Sequence, residues 1–234
     1  MTTSVADVVV VGGGVVGTAI AAQLADAGQR VALVEASSLA AGASGAAPGR
    51  LNPPVKGPAS GPVFDLHVAE TARYQDHISQ LRSCTGLDPE YRVPGLLLPA
   101  FGEEPAAAHQ DLCAALMAAG VDAQWCDAAA AVDLEPHLNP QVRSAVWILG
   151  AATVNARRLT AAQARAAELA GASIHPEWPV QRLLRHGSRV VGVCNGSDEI
   201  HAGATVVAAG AWSAAVLRTA GVDVEITPVR ACAP

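Results

Sequence analysis

The segment Asp7-Val8-Val9-Val10-Val11-Gly12-Gly13-Gly14-Val15-Val16-Gly17, followed by an uncharged stretch to Ala25 and closed by Val31-Ala32-Leu33-Val34-Glu35, decides the fold of this chain. Four consecutive valines suit a strand covered on both faces, because β-branched side chains pack well on a pleated surface. Glycines end the run. From Val15 the spacing of Ile20, Leu24 and Ala27 fits a helix that Gly28 terminates just past its last turn. A second apolar run then stops on Glu35. Strand, helix and strand within about thirty residues predict a βαβ unit, and with it an α/β fold built on a parallel sheet with flanking helices.

The turn between the first strand and the helix reads G-x-G-x-x-G, with Val15 and Val16 between the last two glycines. Gly12 permits the tight turn, Gly14 lets the backbone approach a pyrophosphate, and Gly17 lets the helix pack on the strand. A diphosphate would then face the free N–H groups and positive dipole end of the helix. Glu35 stands 23 residues beyond Gly12, where a carboxylate accepts from a ribose hydroxyl, and Ala36 follows it at the strand end. A glycine-rich packing turn with a solvated Glu35 is the plainer reading of the same residues. NAD and FAD share the adenosine half and both remain open, whereas a carboxylate would repel the ribose phosphate of NADP.

Outward from this unit, composition narrows the choices. With 51% hydrophobic and 15% charged residues the chain is too apolar for disorder, and 234 residues make one to two domains. A net charge of −6 argues against a nucleic-acid partner. The eighteen uncharged residues from Val8 to Ala25 reach membrane-helix length, but three glycines and Gln23 interrupt them and no basic residue precedes them, so no transmembrane segment is expected. Five cysteines, Cys84, Cys113, Cys126, Cys194 and Cys232, form no C-x-x-C pair and read as reduced thiols of a cytoplasmic protein. Seven histidines show no H-E-x-x-H pattern, so no metal site is expected.

After Glu35 the chain enters a long run of small residues, Ala41-Gly42-Ala43-Ser44-Gly45-Ala46-Ala47-Pro48-Gly49-Arg50-Leu51-Asn52-Pro53. Such a loop can pass close to a bulky ligand while Ser44 and backbone N–H groups donate to phosphates. Here the chain resembles FAD-dependent oxidoreductases of the D-amino-acid oxidase, glycine oxidase and sarcosine oxidase family, whose loop follows A-S-x-x-A-x-G-x-L-x-P. Ala43-Ser44, Ala47, Gly49, Leu51 and Pro53 match it, and Arg50 stands where glycine oxidases tend to have methionine. The resemblance resumes at Leu134-Glu135-Pro136, at Val154-Asn155-Ala156-Arg157-Arg158-Leu159, and at Ala209-Gly210-Ala211-Trp212-Ser213, which is similar to the family's A-A-G-A-W-S segment.

The resemblance implies a glutathione-reductase-like, Rossmann-type FAD-binding domain with an inserted, incomplete α+β substrate domain. It implies FAD as cofactor, with Ala43, Ser44, Gly49, Arg50 and Leu51 passing the diphosphate toward the flavin. Val180 would lie beside the adenine, and Ala209, Gly210 and Trp212 near the cofactor. Arg50 reads either as a charge near the flavin or as a solvent-facing side chain, and Trp212 as a packed aromatic or a flavin contact. The implied reaction removes a hydride from the amine-bearing carbon of an amino acid or secondary amine to flavin N5, and imine hydrolysis follows. No catalytic residue is assigned.

The expected domains are 1–85 with 150–222 for FAD, 86–149 as the first part of the substrate domain, and 223–234 as a truncated start of its second part. Expected elements are helices at 63–81 and 103–119 and an alanine-rich helix opened by the segment 154–159 and ending near Gly171. A short helix at 213–217 is expected with Ser213 as N-cap, and strands at 91–93, 95–98, 121–125, 145–149, 179–184, 190–193 and 205–208. In relatives the arginine that binds the substrate carboxylate comes after a P-V-R segment, here Pro228-Val229-Arg230, four residues before the last. The alternative to an oxidoreductase is therefore a catalytically incomplete nucleotide-binding remnant, with a homo-oligomer or a complementing chain as the partner. An NAD-dependent dehydrogenase would give the loop after Glu35 no role.

Overall fold

The structure is a computed structural model that describes residues 3–53, 55 and 60–229. In chain order it forms β1 (Thr3–Val11), α1 (Val15–Asp26), β2 (Val31–Val34), α2 (Ala43–Ala46), β3 (Arg50–Leu51), α3 (Pro62–Thr85), β4 (Leu96–Ala100), α4 (Glu103–Ala118) and β5 (Ala123–Asp127). There follow α5 (Ala128–Leu134), β6 (Ser144–Ile148), β7 (Ala152–Thr153), α6 (Ala156–Leu169), β8 (Ser173–His175), β9 (Arg182–His186), β10 (Arg189–Cys194), β11 (Glu199–Val207) and α7 (Ser213–Arg218). A 3-10 turn at Gly210–Trp212 precedes the last helix. No described helix is long and apolar enough to cross a membrane.

Two compact units result. The first holds the residues up to Pro48, Gln80–Pro89 and those from Asn155 onward; the second holds Gly49–Ser79 and Glu90–Val154. Residues 49–79, grouped with the nucleotide domain on sequence grounds, therefore group here with the inserted unit.

The first unit is built on a six-stranded mixed sheet in the order β8-β2-β1-β11-β10-β9. β8, β2, β1 and β11 run parallel, while β10 and β9 are antiparallel additions at one edge. β1 is central because its valines can be buried on both faces. Val8 and Val10 pack with Leu33, with Ala21 and Ala25 of α1 and with Ala167 of α6, whereas Val9 and Val11 pack with Val34, Leu183 and Val193. The small residues Gly17, Thr18, Ala21 and Ala25 form the buried stripe of α1. Against α6 that helix is keyed by a buried hydrogen bond of 3.0 Å from the Thr18 hydroxyl to Gln163 Oε1.

The second unit has a three-stranded antiparallel sheet, β4-β6-β5, and a two-stranded ribbon, β3-β7. Phe64 of α3 and Cys113 and Leu116 of α4 pack with Ala123, Val146 and Ile148, and Ala131 of α5 packs with Cys126, Val142 and Ala145.

Several expectations need correction. Residues 91–93 make no strand, only a single bridge between Arg92 and Thr153. The strand after α4 starts at Ala123, because Val121 N–H still closes the helix on the Leu116 carbonyl and Gly120 sits at φ +80°. β11 begins at Glu199 rather than 205, since its first half pairs with both β1 and β10. β9 begins at Arg182 rather than 179, the preceding residues being drawn into a loop. Ser213 is the first residue inside its helix; Trp212 occupies the cap position, with no side-chain cap bond. Of the cysteines, Cys84, Cys113, Cys126 and Cys194 are free thiols. Arg230 and Cys232 lie outside the described residues.

Asp7 ties the middle of β1 to the start of β2. Its Oδ2 accepts the Arg30 backbone N–H at 2.9 Å, and its Oδ1 accepts from the guanidinium at 2.7 Å. The side-chain and backbone hydrogen bonds from Arg30 hold the Asp7 carboxyl below its ordinary value. With a lowered folded-state value, the contribution is complete above the unfolded value of about 4 and is lost as pH falls through the folded one. Asp7→Asn should lower the thermal midpoint at pH 7, and the wild-type and variant curves of midpoint against pH should converge on acidification. In the core, Leu33→Ala should cost about 2–5 kcal/mol in urea unfolding, since Leu33 is fully buried.

Candidate nucleotide-binding site

At the end of β1 the glycine turn has no room for side chains. Gly12 takes φ +115°, and a Cβ there would overlap the Ala208 carbonyl oxygen beyond β11. A Cβ on Gly17 would overlap the Gly12 carbonyl, so helix and turn touch backbone to backbone. Gly13, nominally a spacer, is equally constrained: a Cβ there would lie 2.6 Å from Leu39 Cδ2 and 2.9 Å from Glu35 Cβ. Gly14 caps α1 without a side chain of its own. Ser44 supplies the missing acceptor, its Oγ taking the Val15 N–H at 3.0 Å, and a Cβ on Gly14 would come within 2.9 Å of that oxygen.

Glu35 is placed by the end of β2 and held from both sides. Its Oε2 accepts the Gly13 N–H at 2.6 Å and its Oε1 the Ser37 N–H at 2.9 Å. The segment after β8 braces this corner: Glu35 N–H donates to the His175 carbonyl, and Trp178 N–H donates to the Glu35 carbonyl.

A cavity of about 850 Å³ opens along this edge of the first unit. Of the residues singled out from sequence, Gly12, Gly14, Val16, Glu35, Ala36, Ala43, Ser44, Val180, Ala209, Gly210 and Trp212 line it. Val15 and Gly17 lie in the first turns of α1, Val15 contributing its N–H to Ser44. Gly49, Arg50 and Leu51 belong to the second unit. There Gly49, at φ +72°, accepts from Val154 N–H, and Arg50 and Leu51 form β3, with the Arg50 side chain exposed. Trp212 is no core aromatic: it is 66% exposed on the cavity wall, and a Cβ on Gly42 would meet its ring edge at 3.5 Å.

Trp178, Gln181 and Thr219 also line the cavity and were not read from sequence. The Trp178-Pro179 pair immediately before Val180 was the available signal for the first of them. Glu35 is the only charged side chain in the described lining. An anion here would be met by the N–H groups and dipole of α1, and a hydroxylated sugar by Glu35. Among the described residues no group of three His, Cys, Asp or Glu could hold a metal.

A mixed sheet whose strands β8, β2, β1 and β11 run parallel, with a glycine turn under a helix N-terminus and an acid ending the second strand, defines a dinucleotide-binding protein of the Rossmann class. Residues 7–233 match the family model described as DAO, FAD dependent oxidoreductase, and the chain belongs to that family. It is 33% identical over 225 residues to a glycine oxidase of Geobacillus kaustophilus and 34% over 224 residues to one of Pseudomonas aeruginosa. These alignments cover 96% and 95% of the chain but 59% and 60% of the relatives. The crystal structure of glycine oxidase from Geobacillus kaustophilus superposes with a TM-score of 0.87 at 32% identity, covering 94% of this chain and 59% of that one. The chain thus spans about three fifths of the length of the relatives it matches. FAD is the family's cofactor, and the residues present fit its adenosine half. The turn is free of Cβ atoms where a diphosphate approaches, and among the described residues each Glu35 oxygen engages a single N–H donor, so lone pairs remain for ribose hydroxyls.

Ser44→Ala should leave the first turn of α1 without its acceptor. The expected cost is about 1 kcal/mol in chemical denaturation of the nucleotide-free protein.

Proposed function

We propose that this FAD-dependent oxidoreductase acts on the CH–NH group of an amino acid or secondary amine. The observation that carries the reading is the likeness to glycine oxidases, which runs through every segment that builds the cavity: the glycine turn, the loop at Ala43 and Ser44, and the Ala209–Trp212 return. Bound FAD supplies the acceptor for the hydride leaving the carbon next to nitrogen. In this reading Glu35 accepts from the ribose, the Gly14–Val15 end of α1 faces the diphosphate, and Val180 and Trp178 flank the adenine. Trp212 and Ala209 bound the remainder of the cofactor. The second unit forms the first part of the substrate domain, to which Gly49, Arg50 and Leu51 lead.

A second reading is favoured by the charge set of the cavity. Among the described residues its one charged side chain is an acid, and recognition of an amino-acid carboxylate calls for a cation such as arginine. In that case the chain binds the nucleotide, and turnover depends on residues contributed by a partner chain.

Purified protein should retain flavin absorbance through gel filtration, and anaerobic glycine or sarcosine should bleach it. A colourless protein that takes up no added FAD would overturn both readings. Flavin retained without bleaching by any amino acid or amine would favour the second.

A further inference from the structure

We propose that Glu35 is a latch on the glycine turn, holding it in the shape that receives a nucleotide before any ligand arrives, in addition to accepting from a ribose. The inference rests on the FAD reading for its ligand, and its geometry is that of hydrogen bonds made within the chain itself. The Gly13 N–H has the Glu35 carboxylate as its partner, at 2.6 Å, and the second carboxylate oxygen is fixed by Ser37 N–H at 2.9 Å. Glu35 is itself a fixed point, because its backbone N–H and carbonyl bond to His175 and Trp178 at 2.9 and 2.8 Å. On the other side Gly12 N–H is tied to the Val34 carbonyl and Ala40 N–H to the Gly13 carbonyl, at 2.8 and 3.0 Å. The turn is therefore suspended from the end of β2, and the carboxylate is the only side chain that reaches its centre by hydrogen bonding among the described residues.

The absence of a side chain at Gly13 allows this. A Cβ there would press against Glu35 Cβ and Cγ, each 2.9 Å away. The two roles are compatible because a carboxylate oxygen accepts more than one hydrogen bond. Glutamine separates them. In either orientation of its amide, an NH2 group would oppose the N–H of Gly13 or of Ser37, two donors facing each other. A ribose hydroxyl, which both donates and accepts, tolerates the amide. The N–H groups that meet the diphosphate thus depend on a residue whose direct contact is with the ribose.

The test compares wild type, Glu35→Gln and Glu35→Ala by amide hydrogen exchange without nucleotide, and by calorimetric binding of ADP and 2′,3′-dideoxy-ADP. A latch predicts exchange about tenfold faster or more at both the Gly13 and Ser37 amides in Glu35→Ala, and at whichever of the two faces the NH2 group in Glu35→Gln, with Val9 and Val10 unchanged. It also predicts that affinity for dideoxy-ADP, which has no ribose hydroxyls, falls about tenfold in Glu35→Ala. Unchanged exchange at Gly13 in Glu35→Ala, or an alanine variant that binds dideoxy-ADP as wild type does while losing affinity for ADP alone, would reduce Glu35 to a ribose contact and overturn the proposal. A wild-type protein that binds neither ADP nor FAD would remove the cofactor reading, and the exchange measurement would still decide the latch.

Discussion

Where β1 ends, Gly12 runs beneath the Ala208 carbonyl and is met from the other side by Gly17 of α1, and at neither position is there space for a methyl group. This double backbone contact sets how α1 leaves the sheet. Gly14 and Val16 at its N-terminal end line the cavity. Ser44 and Glu35 are arranged around that point, one completing the first helical turn and the other bracing the bend before it. Larger residues at the two glycines would force the strands apart and displace every donor that an anionic ligand could use.

The parts of the molecule that were legible in the sequence are those whose causes are local. The valine run, the glycine turn and the acid at the end of β2 each follow from neighbours in the chain and stand where the pattern put them; α1 is also in place, but it buries Gly17, Thr18, Ala21 and Ala25 rather than the Ile20, Leu24 and Ala27 whose spacing suggested it. What escaped depends on distant partners. β8 is three residues, Ser173–His175, with no alternation to reveal it, and it is a strand because β2 offers an open edge. Trp178 lines the cavity because that strand delivers it beside Glu35. Arg92, flanked by Tyr91 and Val93, reads as a strand by composition, yet pairs at a single point because the ribbon opposite it is two residues long. For Trp212 the apolar side chain suggested a core position, whereas it stands exposed across from Gly42.

The cavity has an uneven distribution of charge. Apolar walls from Val11, Val34, Val180 and Val216 surround a rim where the fixed positive potential is that of backbone amides and the fixed negative charge is Glu35. In the proposed binding mode phosphate goes to the helix end and hydroxyls to the acid, so the polarity of a bound nucleotide would be set with few polar side chains. The remaining lining is chemically undemanding, which suits a site whose reactivity belongs to its cofactor.

The pairing of Thr3 with Glu199, carried along to Val11 with Val207, has a consequence for how the chain is made. Synthesis delivers β1, α1 and β2 first, but the other flank of β1 stays uncovered until β11 has emerged. During that interval a valine-rich edge is open to mispairing, and the whole second unit must be threaded out before it closes. A topology of such high sequence separation folds slowly, whereas the β4-β6-β5 sheet, whose strands lie within Leu96–Ile148, can pair as soon as that stretch has emerged. The nucleotide cavity is thus completed by the return of the chain at β11 and Ala208–Trp212, although its glycine turn is translated ahead of the second unit.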